Sequence, residues 1–151
     1  MSSYNEPDIV LIEDNLNDAE LAIRAILKGN PGRTIIHLQD GEEAINYFFP
    51  KPDEDWVKEK LPRIILLDLK LPKVDGFEVL QIMKQNPVTK VIPLIILSSS
   101  AEQKDILYCY TWGANSYIVK PVDFDSFSDT IANIAKYWLN CNQTLLDETN
   151  L

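Results

Sequence analysis

Four short apolar runs punctuate the chain: Ile9-Val10-Leu11-Ile12, Ile64-Ile65-Leu66-Leu67, Leu94-Ile95-Ile96-Leu97 and Tyr117-Ile118-Val119. Each is too short for a helix and lacks polar alternation, the pattern of strands buried on both faces of a parallel sheet. The first strand spans about Asp8 to Glu13, and a further one is predicted from about Thr34 to Leu38. Between the strands, apolar residues recur at helical spacing. A first helix runs from about Asp18 to Lys28, with Asn15 or Asn17 as its cap and Gly29 as its stop. Asp40-Gly41 opens a second, which places Ala44, Ile45 and Phe48 on one face and is ended by Pro50 and Pro52. The proline-flanked stretch from Lys51 to Arg63 predicts a surface loop tacked down by Trp56. A third helix follows the turn at Asp75-Gly76, presents Phe77, Leu80 and Met83, and breaks at Asn86-Pro87. The fourth covers about Gln103 to Trp112 and the fifth about Asp125 to Asn140. Along the fifth, Phe124, Phe127, Ile131, Ile134 and Trp138 make one stripe that docks on the sheet, leaving Tyr137, Leu139 and Cys141 outside it for a partner. The sum is five βα units in one α/β domain over 8–141, with a frayed N-terminus (1–7) and a polar tail (142–151).

Polar residues sit where the apolar runs end. Glu13-Asp14 follow the first strand, Asp68 the third, Ser98 closes the fourth and Lys120 follows the fifth. In a doubly wound sheet, ligands bind in the crevice beyond the carboxyl ends of the strands, so these endings converge on one site. Three carboxylates brought together repel unless a cation lies among them. Mg²⁺ (or Mn²⁺) suits an all-oxygen set of Asp14, Asp68, a water-bridged Glu13 and a backbone carbonyl, and the lack of histidine or thiolate at the strand ends disfavours zinc. Lys120 adds a point charge for phosphate and Ser98 a hydroxyl donor. The set describes phosphoryl transfer, in which a carboxylate can itself be the nucleophile and form an aspartyl phosphate. His37, the sole histidine, falls on the second strand away from these ends and reads as packing, so a histidine phosphodonor must come from another protein.

Composition narrows the picture. With 151 residues, 46% hydrophobic and 25% charged, the chain is long enough for one cored domain. It has no run of 18 apolar residues and no signal-peptide pattern, which predicts a cytoplasmic protein with no membrane contact. Cys109 and Cys141 form no CxxC pair and are expected as free thiols. A net charge of -9 argues against a nucleic-acid partner.

The motifs Glu13-Asp14, Asp68 within Leu-Leu-Asp-Leu-Lys-Leu-Pro-Lys-Val-Asp-Gly, Ser98-Ser99 and Lys120-Pro121 resemble the receiver domain of two-component response regulators, over about Ile9 to Leu139. That resemblance implies a flavodoxin-like (βα)5 doubly wound sandwich with strand order 2-1-3-4-5. It also implies Asp68 as phosphoacceptor, a metal held by Asp14, Asp68 and the Lys70 carbonyl with Glu13 acting through water, Lys120 and Ser98 on the phosphoryl group, and Tyr117 as an aromatic switch. A sensor histidine kinase is the implied donor, and a homodimer through helix four, strand five and helix five is the implied assembly. The implied role is a phosphoacceptor with self-catalysed transfer and autodephosphorylation rather than a turnover enzyme. Ser98 stands where Thr is more frequent, Lys70 adds a cation at the mouth, and the Lys120-Pro121 bond is cis in the family. The segments Ser116 to Pro121 and Tyr137-Trp138-Leu139, with the long loop before strand three, further resemble the small regulators that partner phytochrome-type kinases; a generic chemotaxis-like or relay receiver is the alternative. No output domain is expected after helix five.

Other classes share parts of this pattern. Asp68 alone would read as a helix-capping carboxylate and Lys120 alone as a solvated strand end. A haloacid-dehalogenase-type phosphatase needs a second Asp two residues after the nucleophile, where Lys70 stands. A flavin or nucleotide binder needs glycine in the first βα turn, and Glu13-Asp14-Asn15-Leu16-Asn17 has none.

Overall fold

The computed structural model describes residues 7–50 and 61–144. The chain alternates strand and helix: β1 (Ile9–Ile12), α1 (Leu16–Gly29), β2 (Ile35–Leu38), α2 (Gly41–Phe48), β3 (Ile64–Asp68), α3 (Gly76–Gln85), β4 (Leu94–Ser98), α4 (Gln103–Thr111), β5 (Ser116–Val119) and α5 (Phe124–Lys136). A 3-10 turn (Thr89–Val91) precedes β4 and a π-helical turn (Tyr137–Cys141) extends α5. All strand pairs are parallel, in the order β2-β1-β3-β4-β5. This is the predicted flavodoxin-like sandwich, with the direction of winding reversing at β1 and β3.

The continuous apolar strands follow from burial on both faces. Val10, Ile12, Ile65, Leu67, Leu94 and Ile96 meet Ala44 and Phe48 of α2, Val79, Leu80 and Met83 of α3, and Cys109 of α4. Ile9, Leu11, Ile64, Leu66, Ile95 and Leu97 meet Ala19, Ala22 and Ile26 of α1 and Phe127, Ile131, Ala135 and Leu139 of α5. Side chains of opposite parity on each strand thus serve opposite layers.

Local chemistry sets the helix starts. Asn15, Asp40, Asp75 and Asp123 each accept the backbone N–H three residues on, satisfying one orphan donor per helix. Of the two caps predicted for α1, Asn15 is the one used, and the helix begins before Asp18. Two glycines are required by close approach. A Cβ on Gly41 would lie 1.7 Å from the Val74 carbonyl oxygen, and one on Gly76 would lie 2.4 Å from the Asp68 oxygen and the Leu69 Cα. These contacts let α2 and α3 press on the loop after β3, and Lys73 adds ion pairs to Asp40 (3.6 Å) and Glu42 (3.5 Å).

The end of α5 differs from the predicted stripe. Leu139 is buried, whereas Phe124 is 58% exposed. The core contacts run Phe127, Ile131, Ala135, Leu139, at uniform spacing of four, and the π-helical turn carries Leu139 inward. Arg63 then donates to the Leu139 carbonyl (3.1 Å) and Arg33 to the Asn140 side chain (2.6 Å), tying the turn to the bottom of the sheet. Tyr137 stays exposed, as does Cys141. The third helix also differs, since Val79 joins Leu80 and Met83 in the core while Phe77 is half-buried. No peptide bond among the described residues is cis, so Lys120-Pro121 is trans, the form that ordinary X–Pro energetics favour. The predicted Trp56 anchor and the Pro52 stop lie outside the described residues.

Candidate functional site

Parallel pairing brings the ends of β1, β3, β4 and β5 level, in register Ile12 with Leu67, Asp68 with Leu97, and Ser98 with Val119. Glu13, Asp14, Asp68, Ser98 and Lys120, which are far apart in sequence, therefore share one crevice. Glu13, Asp14 and Asp68 each offer a carboxylate oxygen within 4.8 Å of the others. Glu13 and Asp68 are buried and Asp14 opens to solvent.

Lys120 is the cation at the centre. Its Nζ lies 2.7 Å from Glu13 Oε1, 3.4 Å from Asp68 Oδ2 and 3.5 Å from Asp18 Oδ2. Burial lowers its affinity for a proton, but the hydrogen bond to Glu13 and the charges of Asp68, Glu13 and Asp18 outweigh that and raise the pKa. Burial, together with the adjacent Asp68 carboxylate, pushes the Glu13 carboxyl up to about 8 against the pull of Lys120. One ammonium thus pairs with three carboxyl groups, Asp14 adds a fourth beside Glu13 and Asp68, and the site as built is short of positive charge. An all-oxygen donor set with that deficit fits a hard divalent cation.

The backbone frames the acceptor. The Lys70 N–H donates to Asp68 Oδ1 (3.2 Å), so the turn after β3 folds back over the carboxylate while the Lys70 side chain points to solvent. Ser98 is buried and its Oγ accepts the Ser100 N–H (3.0 Å), which leaves the hydroxyl proton for a ligand. The Tyr117 hydroxyl donates to the Ser100 carbonyl (2.9 Å) and the Ser100 hydroxyl to Asp105 (2.6 Å), so the loop between β4 and α4 is stitched from both sides.

Each predicted site residue is therefore in or against the crevice, with Tyr117 one layer behind it. Asp18 was not anticipated; its place one turn into α1 follows from the Asn15 cap. His37 corrects an expectation. Its ring Nε2 lies 2.8 Å from the Glu13 carbonyl, at the edge of the site, because the side chain of this edge-strand residue reaches forward past the strand it pairs with.

A parallel five-stranded sheet with an acidic, lysine-bearing crevice at its carboxyl edge defines a cation-assisted phosphoryl site. The response regulator receiver domain family matches residues 9–132, and the chain belongs to that family. The protein is a receiver-domain response regulator, which sets aside the phosphatase and flavin readings. It is 39% identical to the probable methanogenesis regulatory protein FilR2 of Methanothrix harundinacea, over 90% of this chain and 86% of that one. Response regulator Rcp1 of Synechocystis is 32% identical over 92% and 95% of the two chains. Among solved structures, the phosphorylated cyanobacterial phytochrome response regulator RcpA superposes with a TM-score of 0.84 at 33% identity, covering 91% of this chain and 96% of that one. The Mn²⁺-bound form of Rcp1 superposes at 0.80 with 30% identity, covering 91% and 99%. Receiver domains bind Mg²⁺ or Mn²⁺ in an acidic pocket and accept phosphate from histidine kinases. No helix among the described residues is long and apolar enough to cross a membrane.

Proposed function

We propose that Asp68 is the phosphoacceptor and that this protein relays the signal of a phytochrome-type sensor histidine kinase. The observation that carries the acceptor is position. Among the described residues, Asp68 alone is a buried carboxylate within reach of both Lys120 and the Lys70 N–H. In the transfer, an Asp68 carboxylate oxygen forms a bond to the phosphorus of a phosphohistidine, the P–N bond breaks, and the leaving imidazole nitrogen keeps the electron pair and takes a proton. Lys120 offsets charge gathering on the phosphoryl oxygens, and the free Ser98 proton is positioned to hydrogen-bond one of them. Asp14, Asp68 and the Lys70 carbonyl would hold Mg²⁺ or Mn²⁺, with Glu13 through water, and the ion would supply Lewis-acid neutralisation of the phosphoryl group. The likeness to the phytochrome response regulator RcpA supports the phytochrome link.

The test is direct. With Mg²⁺ and acetyl phosphate, intact mass should rise by one phosphoryl group that hydroxylamine removes, and chelation beforehand should prevent the gain. Phosphotransfer profiling should then show faster labelling by phytochrome-type kinases than by others; indifference among kinases would remove the narrower link and leave the acceptor chemistry standing.

The output reading is a switch on the α4, β5 and α5 face. A phosphoryl group that recruits Ser98 draws on the loop held by Ser100, and Tyr117 turns inward as its bond to the Ser100 carbonyl breaks. Leu107 (69% exposed), Tyr110 (49%) and Val119 (41%) lie on this face, which suits a homodimer. In sedimentation equilibrium, beryllofluoride should tighten self-association of wild type by roughly 5–150-fold, the usual range of such coupling. Tyr110→Glu should remain monomeric, and Ser98→Ala should lose the beryllofluoride effect. A wild type that stays monomeric throughout would refute the interface, and a constant unmoved by beryllofluoride would refute the switch.

A further inference from the structure

We infer that His37 is a positioning residue for the acidic site: its Nε2–H holds the Glu13 carbonyl and so fixes the turn that carries Asp14. The inference rests on the metal-site reading above and assigns it a residue outside the carboxylate set. Pairing of β1 with β2 ends at Ile12 and Leu38. The Glu13 N–H still donates to the Leu38 carbonyl (3.0 Å), but past that point the chain of β2 turns away, with the Gln39 N–H donating to Glu43 Oε2 (3.3 Å) and Asp40 capping α2. The Glu13 carbonyl therefore lies beyond the ladder, and His37 supplies the donor from a side chain at 2.8 Å. Because a carbonyl only accepts, the ring nitrogen facing it carries a proton.

The consequence falls on Asp14. Among the described residues no side-chain hydrogen bond or ion pair holds its carboxylate, which is solvent-exposed, so its direction is set by the backbone. That backbone is pinned on one side by Asn15, whose N–H donates to Glu13 Oε2 (3.2 Å) and whose side chain caps α1, and on the other by His37. Releasing the Glu13 carbonyl frees the Glu13-Asp14 peptide plane to rotate, and a carboxylate at the end of a loose turn is poorly preorganised for a cation. Groups that orient metal ligands typically change affinity by about 10–100-fold when removed.

Two substitutions separate positioning from bulk packing. His37→Leu keeps the volume and removes the donor. His37→Gln keeps a donor nitrogen near the place of Nε2. The probe is Mn²⁺ alone, titrated into full-length protein and followed by the free-ion EPR signal, with the melting temperature of the metal-free protein measured in parallel. His37→Leu should weaken Mn²⁺ binding on the order of tenfold, with a metal-free melting temperature close to wild type, and His37→Gln should recover most of the affinity. Equal Mn²⁺ affinity in wild type and both variants overturns the inference while leaving the acidic site intact. Loss of affinity in His37→Leu that only tracks a fall in metal-free stability, with no recovery in His37→Gln, reduces His37 to packing and also overturns it. Absence of saturable Mn²⁺ binding in wild type itself would instead remove the metal site, and the inference with it.

Discussion

Asp68→Asn should abolish phosphorylation. The amide matches the carboxylate in shape, so the fold should persist, but it is not a nucleophile towards phosphorus at neutral pH. Removing one negative charge from a crevice where Asp68 lies beside Glu13 and Asp14, with Lys120 the cation paired to the cluster, relieves repulsion, so the metal-free variant should melt at or above the wild-type temperature. The same change should weaken Mg²⁺ stabilisation, because an ion that binds the native state raises stability only as far as its affinity allows. Intact mass after incubation with Mg²⁺ and acetyl phosphate decides it. Undiminished labelling of the variant would move the acceptor to Asp14 or Glu13.

Gly76→Ala sets two effects of opposite sign against each other. Gly76 opens α3, and Ala is about 1 kcal/mol better than Gly in a helix interior, so propensity alone predicts stabilisation. The added Cβ, however, would meet the Asp68 carbonyl oxygen and the Leu69 Cα at 2.4 Å, and both are backbone atoms that cannot swing aside. Overpacking typically costs about 1–3 kcal/mol, and a clash with two backbone atoms belongs at the upper end of that range, where it exceeds the gain. The expected net is destabilisation of up to about 2 kcal/mol, a fall of as much as roughly 4–8 °C in melting temperature for a domain of this size. Because the displaced peptide is the one that carries Asp68, labelling by acetyl phosphate should slow as well. A melting temperature at or above that of wild type would show that the loop after β3 gives way freely.

Much of this was legible before any coordinates. The strands are short unbroken apolar runs, and that pattern arises because both faces of each strand are covered. Their polar endings then identify the crevice, since ligands of a doubly wound sheet bind beyond the carboxyl ends of its strands. The second strand ends in Leu38 as expected, and the helix openings at Asp40-Gly41 and after the Asp75-Gly76 turn are local chemistry that the residue types reveal.

What only tertiary structure decided is what depends on three-dimensional reach. His37 is assigned to a strand by its neighbours, but its contact with the Glu13 carbonyl depends on the register of β2 against β1 and on where that ladder stops. Leu139 is buried although a 3.6-residue period leaves it off the core face, because a single π-helical turn adds a residue to the repeat and turns the end of α5 about its axis, while Phe124, at the first residue of α5, stays exposed. The Asp18 contribution to the lysine cluster and the backbone approaches at Gly41 and Gly76 are likewise set by how separate elements meet. The sequence by itself determined which chemistry stands at the strand ends, since burial and strand length act along the chain; which side chains orient that chemistry was decided across it, where distance and register, not order, choose the partners.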